Sequence, residues 1–194
     1  MQLLETFDKP VFDPQLKWHC EPSHWKIEQN SLVVATDPET DFWQKTHYGF
    51  QVDNGHFLYA ELDNDFVLET EVHSNFVNQY DQAGLMVRVS EECWVKTAIE
   101  YEPEESNKLG AVVTNRGYSD WSTQDVHDSL INLKLRIMRK GSDYIIQYFD
   151  RNQNEWTQLR MFHLDSKAKV MAGIYSCSPK QRGFIARFKY LTIK

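Results

Sequence analysis

Apolar and polar residues alternate with a period of two along most of the chain. The segments 65–72 and 131–137 alternate without interruption, and such alternation indicates β-strands with one buried face. Similar runs are rich in valine, isoleucine, threonine and aromatic residues, which favour strands; they span residues 31–36, 57–61, 84–89, 93–101, 109–114, 118–122, 144–149, 156–161, 169–177 and 184–193. Turn sequences such as Asn115-Arg116-Gly117 separate them. Many short strands with frequent turns predict an all-β, antiparallel sandwich.

The pattern predicts few helices, because no long segment carries an apolar stripe with a period of 3.6 residues. We expect at most one or two short helices. The one candidate covers residues 42–46, with Asp41 as the N-cap and Gln44 at the third helical position. The chain has no internal repeat, low-complexity tract or linker, so residues 1–194 are predicted to form one domain.

Composition and charge narrow the class of protein. The 194 residues include 13% aromatics, which argues against disorder, and the net charge of −7 argues against nucleic acid or an anionic membrane surface as a partner. The first residues lack the basic and apolar regions of a secretory signal, and no apolar stretch is long enough to span a membrane. The three cysteines, Cys20, Cys93 and Cys177, form no Cys-x-x-Cys pair. We therefore expect a cytoplasmic protein with reduced cysteines.

The strand at residues 93–101 carries the most informative face. Trp94, Lys96 and Glu100 alternate with apolar residues and so share one side of the strand, as Arg88 does on the strand before it. Lys96 and Glu100 are roughly 13 Å apart along the strand, so each is expected to pair with a residue on an adjacent strand, such as Arg88. Two interpretations stay open: an exposed strand face with ordinary charges, or the floor of a ligand groove, to which Gln82 would also contribute.

A second candidate lies after the Asn115-Arg116-Gly117 turn. Tyr118 and Asp120 face one way in the predicted strand, and Ser119 and Trp121 face the other. Trp121 either fills the core of a hairpin or lies, like Asp120, at the rim of the groove beside Trp43.

A third candidate site lies at the start of the strand that begins near residue 82. Asp81 and Gln82 either hold a ligand or cap the preceding loop, since aspartate often binds local backbone in turns. Gly84 lies inside a strand pattern, which indicates a bulge or the close approach of another group.

These same residues carry a family resemblance. The runs are Asp41-Phe42-Trp43, residues 79–86, Trp94-Val95-Lys96 with Glu100-Tyr101, and residues 112–114 followed by 117–121. Together they resemble the domain-of-unknown-function family named after "regulation of enolase protein 1", whose members are similar to concanavalin A-like lectin/glucanase domains. The likeness extends from about Trp18 to the C-terminal strand. It implies a jelly roll of two curved antiparallel sheets, in a superfamily that binds or cleaves glycans on its concave sheet.

Catalytic chemistry has a weaker basis in the sequence. Glycoside hydrolysis needs two carboxyl groups beside the scissile bond, and the Glu-x-Asp-x-x-Glu pattern of laminarinase-like proteins is absent. Glu100 is the candidate for one catalytic carboxylate, and Asp120 or Asp81 is the candidate for the second. No cofactor motif is present, and the seven histidines lack the spacing of a metal site. A calcium site at a sandwich edge is left open by analogy with the superfamily.

Three functions compete. The first is a non-catalytic module that binds a carbohydrate or sugar derivative; Arg88 and Lys96 would suit the anionic group of a sugar phosphate or nucleotide sugar. The second is a glycoside hydrolase that uses Glu100. The third is a regulatory protein with a protein partner, which an exposed apolar patch outside the groove would favour.

Overall fold

The computed structural model describes residues 2–164 and 169–194, and every regular element in that part of the chain is a β-strand. Numbered along the chain, they are β1 (Leu3–Glu5), β2 (Lys17–His19), β3 (His24–Ile27), β4 (Leu32–Ala35), β5 (Phe42–Gln44), β6 (Gln51–Asp53), β7 (His56–Leu62), β8 (Phe66–Asn75), β9 (Gln82–Ser90), β10 (Cys93–Glu100), β11 (Asn107–Asn115), β12 (Tyr118–Val126), β13 (Asn132–Lys140), β14 (Asp143–Asp150), β15 (Glu155–His163), β16 (Val170–Cys177) and β17 (Ile185–Ile193). Within the described ranges no helix is long and apolar enough to cross a membrane.

Two antiparallel sheets form a sandwich, which confirms the predicted fold class. The eight-stranded sheet has the order β15-β14-β13-β8-β17-β4-β3, with β1 paired to β17. The seven-stranded sheet has the order β12-β11-β10-β9-β16-β7-β2, and the short β5–β6 hairpin is separate from both. Strands β12 and β15 each form one edge of their sheet, and β2 and β3 form the opposite edges.

Alternation along β9 and β10 divides their side chains between two apolar clusters. Leu85, Val87 and Val95 belong to the main core between the sheets. Met86 and Trp94, which alternate with them, belong to a second cluster on the outer face of the seven-stranded sheet, together with residues of the hairpin. The seven-stranded sheet is therefore covered on its outer face as well, but only where the β5–β6 hairpin lies over it.

The predicted helix at residues 42–46 is wrong, because Phe42–Gln44 is strand β5 and pairs with β6. The Asp41 side chain does accept a backbone hydrogen bond, but from the adjacent Phe42 N–H at 2.8 Å rather than from a later turn of helix. The Gln44 N–H donates to the hydroxyl of Ser119 on β12 at 2.9 Å. Contacts with the sheet thus outweigh the local capping pattern.

The turn between β11 and β12 has the predicted position. Arg116 and Gly117 both have positive φ, 53° and 74°, which is the conformation of a two-residue hairpin loop. This turn fixes the register of β12 against β11, with Trp121 opposite Val112 and Ser119 opposite Thr114. It thereby brings Ser119 and Trp121 to the outer face, beside the β5–β6 hairpin.

Candidate functional site

An open cavity of about 260 Å³ lies on the outer face of the seven-stranded sheet, beside the β5–β6 hairpin. Its walls combine aromatic and charged side chains. The lining residues are Asp41, Trp43, Tyr48, Phe50, Tyr80, Lys96, Glu100, Val112, Trp121 and Lys180. A narrower extension continues over β10 and β11 to Gln82, Lys108 and Tyr175.

Two ion pairs hold the hairpin on the sheet. Asp41, which directly precedes β5, accepts from Lys96 Nζ at 2.7 Å, and Asp53, the last residue of β6, accepts from Arg88 Nη2 at 2.7 Å. Lys96 and Arg88 are both buried. Neither basic residue pairs with Glu100, so the expected Glu100–Arg88 pairing is wrong: cross-strand register places Arg88 opposite Trp94 and Gln82 opposite Glu100.

Between the two ion pairs, the outer face is closed by apolar packing. Trp94 is fully buried, its ring lies 6.1 Å from that of Phe42, and its indole N–H donates to the Glu91 carbonyl at 3.0 Å. Met86 and Trp43 belong to the same cluster. The sequence placed Trp94 correctly on this face, but as a core residue it offers no surface to a ligand.

A hydrogen-bonded network holds Glu100 at the floor of the cavity. The Gln82 amide nitrogen donates to Glu100 Oε2 at 3.0 Å and to the Tyr80 carbonyl at 3.2 Å. The Gln82 carbonyl oxygen accepts from the Tyr175 hydroxyl at 3.0 Å. Every polar atom of the Gln82 side chain is thus engaged, and its orientation is fixed by these partners.

Burial dominates the acid–base properties of the floor. It raises the pKa of Glu100 to about 8, although Lys96 acts in the opposite direction. Burial likewise raises the pKa of Tyr175 and of the Cys177 thiol well above their ordinary values. For Lys96 burial acts to lower the pKa, but Asp41, Cys177 and Glu100 together outweigh it and the pKa is raised. The raised pKa of Glu100 favours its neutral carboxyl form at neutral pH, beside the Lys96–Asp41 ion pair.

The rim of the cavity is aromatic and accessible. Tyr48, Phe50 and Trp121 are 53%, 46% and 36% exposed. The Tyr48 ring lies 5.2 Å from that of Trp43, and Lys180 Nζ lies 5.2 Å from the Tyr80 ring centroid. Of the two alternatives for Trp121, the structure therefore gives the rim rather than the core.

Other predicted residues lie away from the cavity. Asp81 is buried and caps the loop before β9, accepting from the Val77 and Asn78 N–H groups at 2.9 and 2.7 Å. Gly84 has its close approach to β10, since a Cβ there would lie 2.0 Å from the Thr97 carbonyl oxygen. Asp120 is exposed and accepts from Arg160 of β15 at 2.9 Å.

The structure thus brings together four of the predicted residues at the main cavity, namely Trp43, Lys96, Glu100 and Trp121, with Gln82 beneath them. Arg88 and Trp94 are buried in the hairpin contact and Asp81 caps a loop, and none of the three lines the main cavity. Tyr118 is exposed and has Lys45 5.3 Å from its ring, but it does not line the cavity. Neither Asp120 nor Asp81, the candidates for a second catalytic carboxylate, lines the cavity with Glu100.

Sequence reasoning missed Asp41, Tyr48, Phe50, Tyr80 and Lys180 as lining residues. The sequence pattern predicts Asp41 as a helix cap, although the Asp41-Phe42-Trp43 run belongs to the family resemblance. Tyr48 and Phe50 had a signal of their own, since two large aromatics in a polar segment between strands are unusual on a surface. In the two described ranges, no group of three or more His, Cys, Asp or Glu residues is arranged to hold a metal ion.

Comparisons with known proteins agree with this picture of the fold. A family model described as "Protein of unknown function (DUF1349)" matches residues 18–194. The chain is 32% identical over 171 residues to "Regulation of enolase protein 1" of Saccharomyces cerevisiae, covering 88% of this chain and 85% of that protein.

Solved structures give the same result. A crystal structure of a functionally unknown protein from Saccharomyces cerevisiae has a TM-score of 0.86 at 30% identity, covering 93% of this chain and 96% of that one. A GH43 protein from Bacillus licheniformis, BlXynB, has a TM-score of 0.75 at 14% identity; the match covers 98% of this chain but only 38% of that one. This second likeness shows a shared fold for one part of that larger protein.

Proposed function

The chain belongs to the DUF1349 family of proteins of unknown function, and from its cavity we propose that it is a non-catalytic module that binds a carbohydrate or sugar derivative. One observation carries the proposal: exposed aromatic rings surround a floor of hydrogen-bonding groups. A sugar ring has apolar C–H faces that suit Tyr48, Phe50 or Trp121, and hydroxyl groups that suit Asp41 and Glu100.

The size of the cavity agrees with a small ligand. Small-molecule sites typically measure roughly 300–1,000 Å³. The cavity of about 260 Å³ lies just below that range and is open on one side. It suits one sugar ring, with further rings extending over the aromatic rim.

Hydrolysis of a glycosidic bond is the second candidate, because a second carboxylate, Asp41, lines the same cavity as Glu100. However, Asp41 Oδ1 is already occupied by Lys96 and by the Phe42 N–H, at 2.7 and 2.8 Å. The Asp41 carboxylate therefore has a structural task in anchoring the hairpin. For this reason we favour binding without turnover.

Regulation through a protein partner has less support from the surface. In the described ranges, the large exposed hydrophobic side chains outside the cavity are distributed along the chain: Leu4, Val11, Val77, Tyr118, Ile131 and Met161. By contrast, Tyr48, Phe50 and Trp121 gather around the cavity. The main accessible aromatic surface thus belongs to the cavity and not to a separate docking patch.

We place this binding activity in the cytoplasm. The support is that all three cysteines are free, and two of them, Cys93 and Cys177, are buried. Free cysteines are typical of a reducing compartment. Intracellular sugars and their derivatives are therefore the first ligands to test.

The test is a glycan array followed by ligand-observed NMR on the purified full chain. We expect a sugar to bind, and the Trp121→Ala variant to lose at least about tenfold in affinity through loss of a stacking surface. The matched control is Trp156→Ala on β15, an edge-strand tryptophan of the other sheet whose ring packs against Arg136; it should bind as the wild type does.

Absence of binding across the array, or equal losses in both tryptophan variants, would contradict the proposal. Release of reducing ends from a bound oligosaccharide, abolished in Glu100→Ala, would instead establish the hydrolytic function.

A further inference from the structure

The two oxygens of Glu100 are not equivalent. Oε2 accepts a hydrogen bond from Gln82, whose amide nitrogen is held at this end because it also donates to the Tyr80 carbonyl, which can only accept. In the part of the chain that the structure describes, Oε1 has no hydrogen-bond partner, and it is not among the inaccessible side-chain atoms. When Glu100 is neutral, its proton therefore lies on Oε1 and is available to a ligand in the cavity.

The surroundings of Glu100 favour the neutral form, since they supply no direct counter-ion. Lys96 Nζ is engaged by Asp41 at 2.7 Å, and Lys108 Nζ by Asp125 at 2.8 Å and Glu105 at 3.3 Å. Across residues 2–164 and 169–194, no basic nitrogen lies within 4.0 Å of the Glu100 carboxyl oxygens. A carboxyl group removed from water without a counter-ion favours its protonated state, and burial raises the pKa of Glu100 to about 8.

The other titratable groups around Glu100 act on its pKa in both directions, and Lys96 lowers it. From its own strand and its neighbours these are Lys96, Lys108, Tyr175 and Cys177, and from the loops they are Asp41, Tyr80, Glu102 and Lys180. Burial keeps Tyr175 and Cys177 neutral in the physiological range, because it raises both pKa values. Asp41 and Glu102 both act to raise the pKa of Glu100.

The floor also contains a free acceptor. Asp41 uses Oδ1 for both of its side-chain hydrogen bonds, to Lys96 and to the Phe42 N–H. Its Oδ2 has no hydrogen-bond partner among the residues described. Next to the cavity there are thus a donor on Glu100 and an acceptor on Asp41, with the charge of Lys96 already balanced.

We propose that the cavity selects an uncharged sugar, one hydroxyl of which accepts a hydrogen bond from neutral Glu100 while another donates to Asp41 Oδ2. The inference rests on the proposed function and narrows its ligand class. It replaces the expectation of a sugar phosphate, because the two cations assigned to the phosphate are already paired: Arg88 with Asp53 and Lys96 with Asp41. The remaining lining cation, Lys180, lies at the exposed rim.

Calorimetry with matched sugars tests the selectivity. The probes are glucose and galactose, each compared with its 6-phosphate and its uronic acid at pH 7. We expect the neutral member of a set to bind at least about tenfold more tightly than both anionic members, since no unpaired cation lies at the floor. Tighter binding of an anionic member would overturn this inference and leave sugar binding intact. Absence of binding by all six would overturn this inference, and the proposed function would fall with it only if the glycan array also showed no binding.

The pH dependence of binding tests the role of Glu100. If the neutral form alone binds, a pKa of about 8 makes the wild-type affinity about tenfold weaker at pH 9 than at pH 7, because the competent fraction falls by that factor. Glu100→Gln keeps a donor that cannot ionise, so its affinity should be the same at both pH values. The matched control Trp156→Ala should retain the wild-type dependence.

A ligand-independent measurement completes the test. The carboxyl carbon of Glu100, followed by ¹³C NMR in the free protein, should titrate near pH 8. Titration near the ordinary value of 4.5 would overturn the inference, and so would a wild-type affinity that is equal at pH 7 and pH 9.

Discussion

Trp94 and Glu100 lie on the same outer face of β10, six positions apart, yet their surroundings differ completely. At the Trp94 end, the β5–β6 hairpin covers the sheet and the indole is fully buried. At the Glu100 end, the hairpin gives way to a cavity bordered by accessible aromatic rings. Alternation along a strand therefore identifies which residues share a face, whereas the element that packs on the face decides their role.

The two ion pairs show the same contrast. At the closed end, Arg88 binds Asp53, and the remaining Arg88 nitrogens Nε and Nη1 are buried without a hydrogen-bond partner among the described residues. At the open end, Lys96 binds Asp41, and both line the cavity. The first pair is purely structural, while the second both anchors the hairpin and shapes the proposed site.

Trp94→Ala should have the largest effect at the closed end. Removing a fully buried indole should lower the free energy of unfolding by about 3–5 kcal/mol, measured by urea denaturation. The matched variant at the open end, Trp121→Ala, removes a part-exposed ring and should cost less than about 1 kcal/mol. Similar losses for the two variants would contradict the division of this face into a closed and an open end.

Arg88→Met should have the next largest effect, about 3 kcal/mol, because it leaves Asp53 in the hairpin contact without its cation. Adding Asp53→Leu removes the unpaired carboxylate, so the double variant should regain most of the lost stability in the same denaturation experiment. If Asp53→Leu instead lowers the free energy of unfolding further, the Arg88–Asp53 ion pair does not hold this end of the hairpin on the sheet.

Asp120→Asn should have the smallest effect. Its ion pair with Arg160 is largely exposed on the aspartate side, so we expect a change below about 0.5 kcal/mol in stability. Sugar affinity should also stay at the wild-type value, because Asp120 does not line the cavity. A tenfold loss of sugar affinity in the NMR binding assay would show that Asp120 contributes to the binding site.

Most of the long strands of the sandwich can be predicted from the sequence, because each shows its own alternation of apolar and polar residues. The prediction for residues 93–101 differs from β10 at only one end, and the Arg116–Gly117 turn has the expected form. Short strands such as β5 and β6 carry too few residues to show a period. Their structure is decided by contacts with distant strands, as the Gln44–Ser119 hydrogen bond illustrates.

The candidate site could be predicted only in part for the same reason. Lys96 and Glu100 follow from alternation within one strand. The partner of Lys96 does not, because Asp41 lies 55 positions away and reaches it through the packing of the hairpin. The burial of Trp94 likewise depends on Phe42, which the sequence pattern assigned to a helix.

The double fastening of the β5–β6 hairpin has a consequence for ligand exchange. Lifting the hairpin would separate two Asp–cation pairs and expose an apolar cluster at the same time. The hairpin is therefore expected to stay fixed on the sheet. The accessible border of the proposed site is then its aromatic rim, which includes Tyr48 and Phe50. Association and release kinetics should accordingly respond to changes in these two side chains.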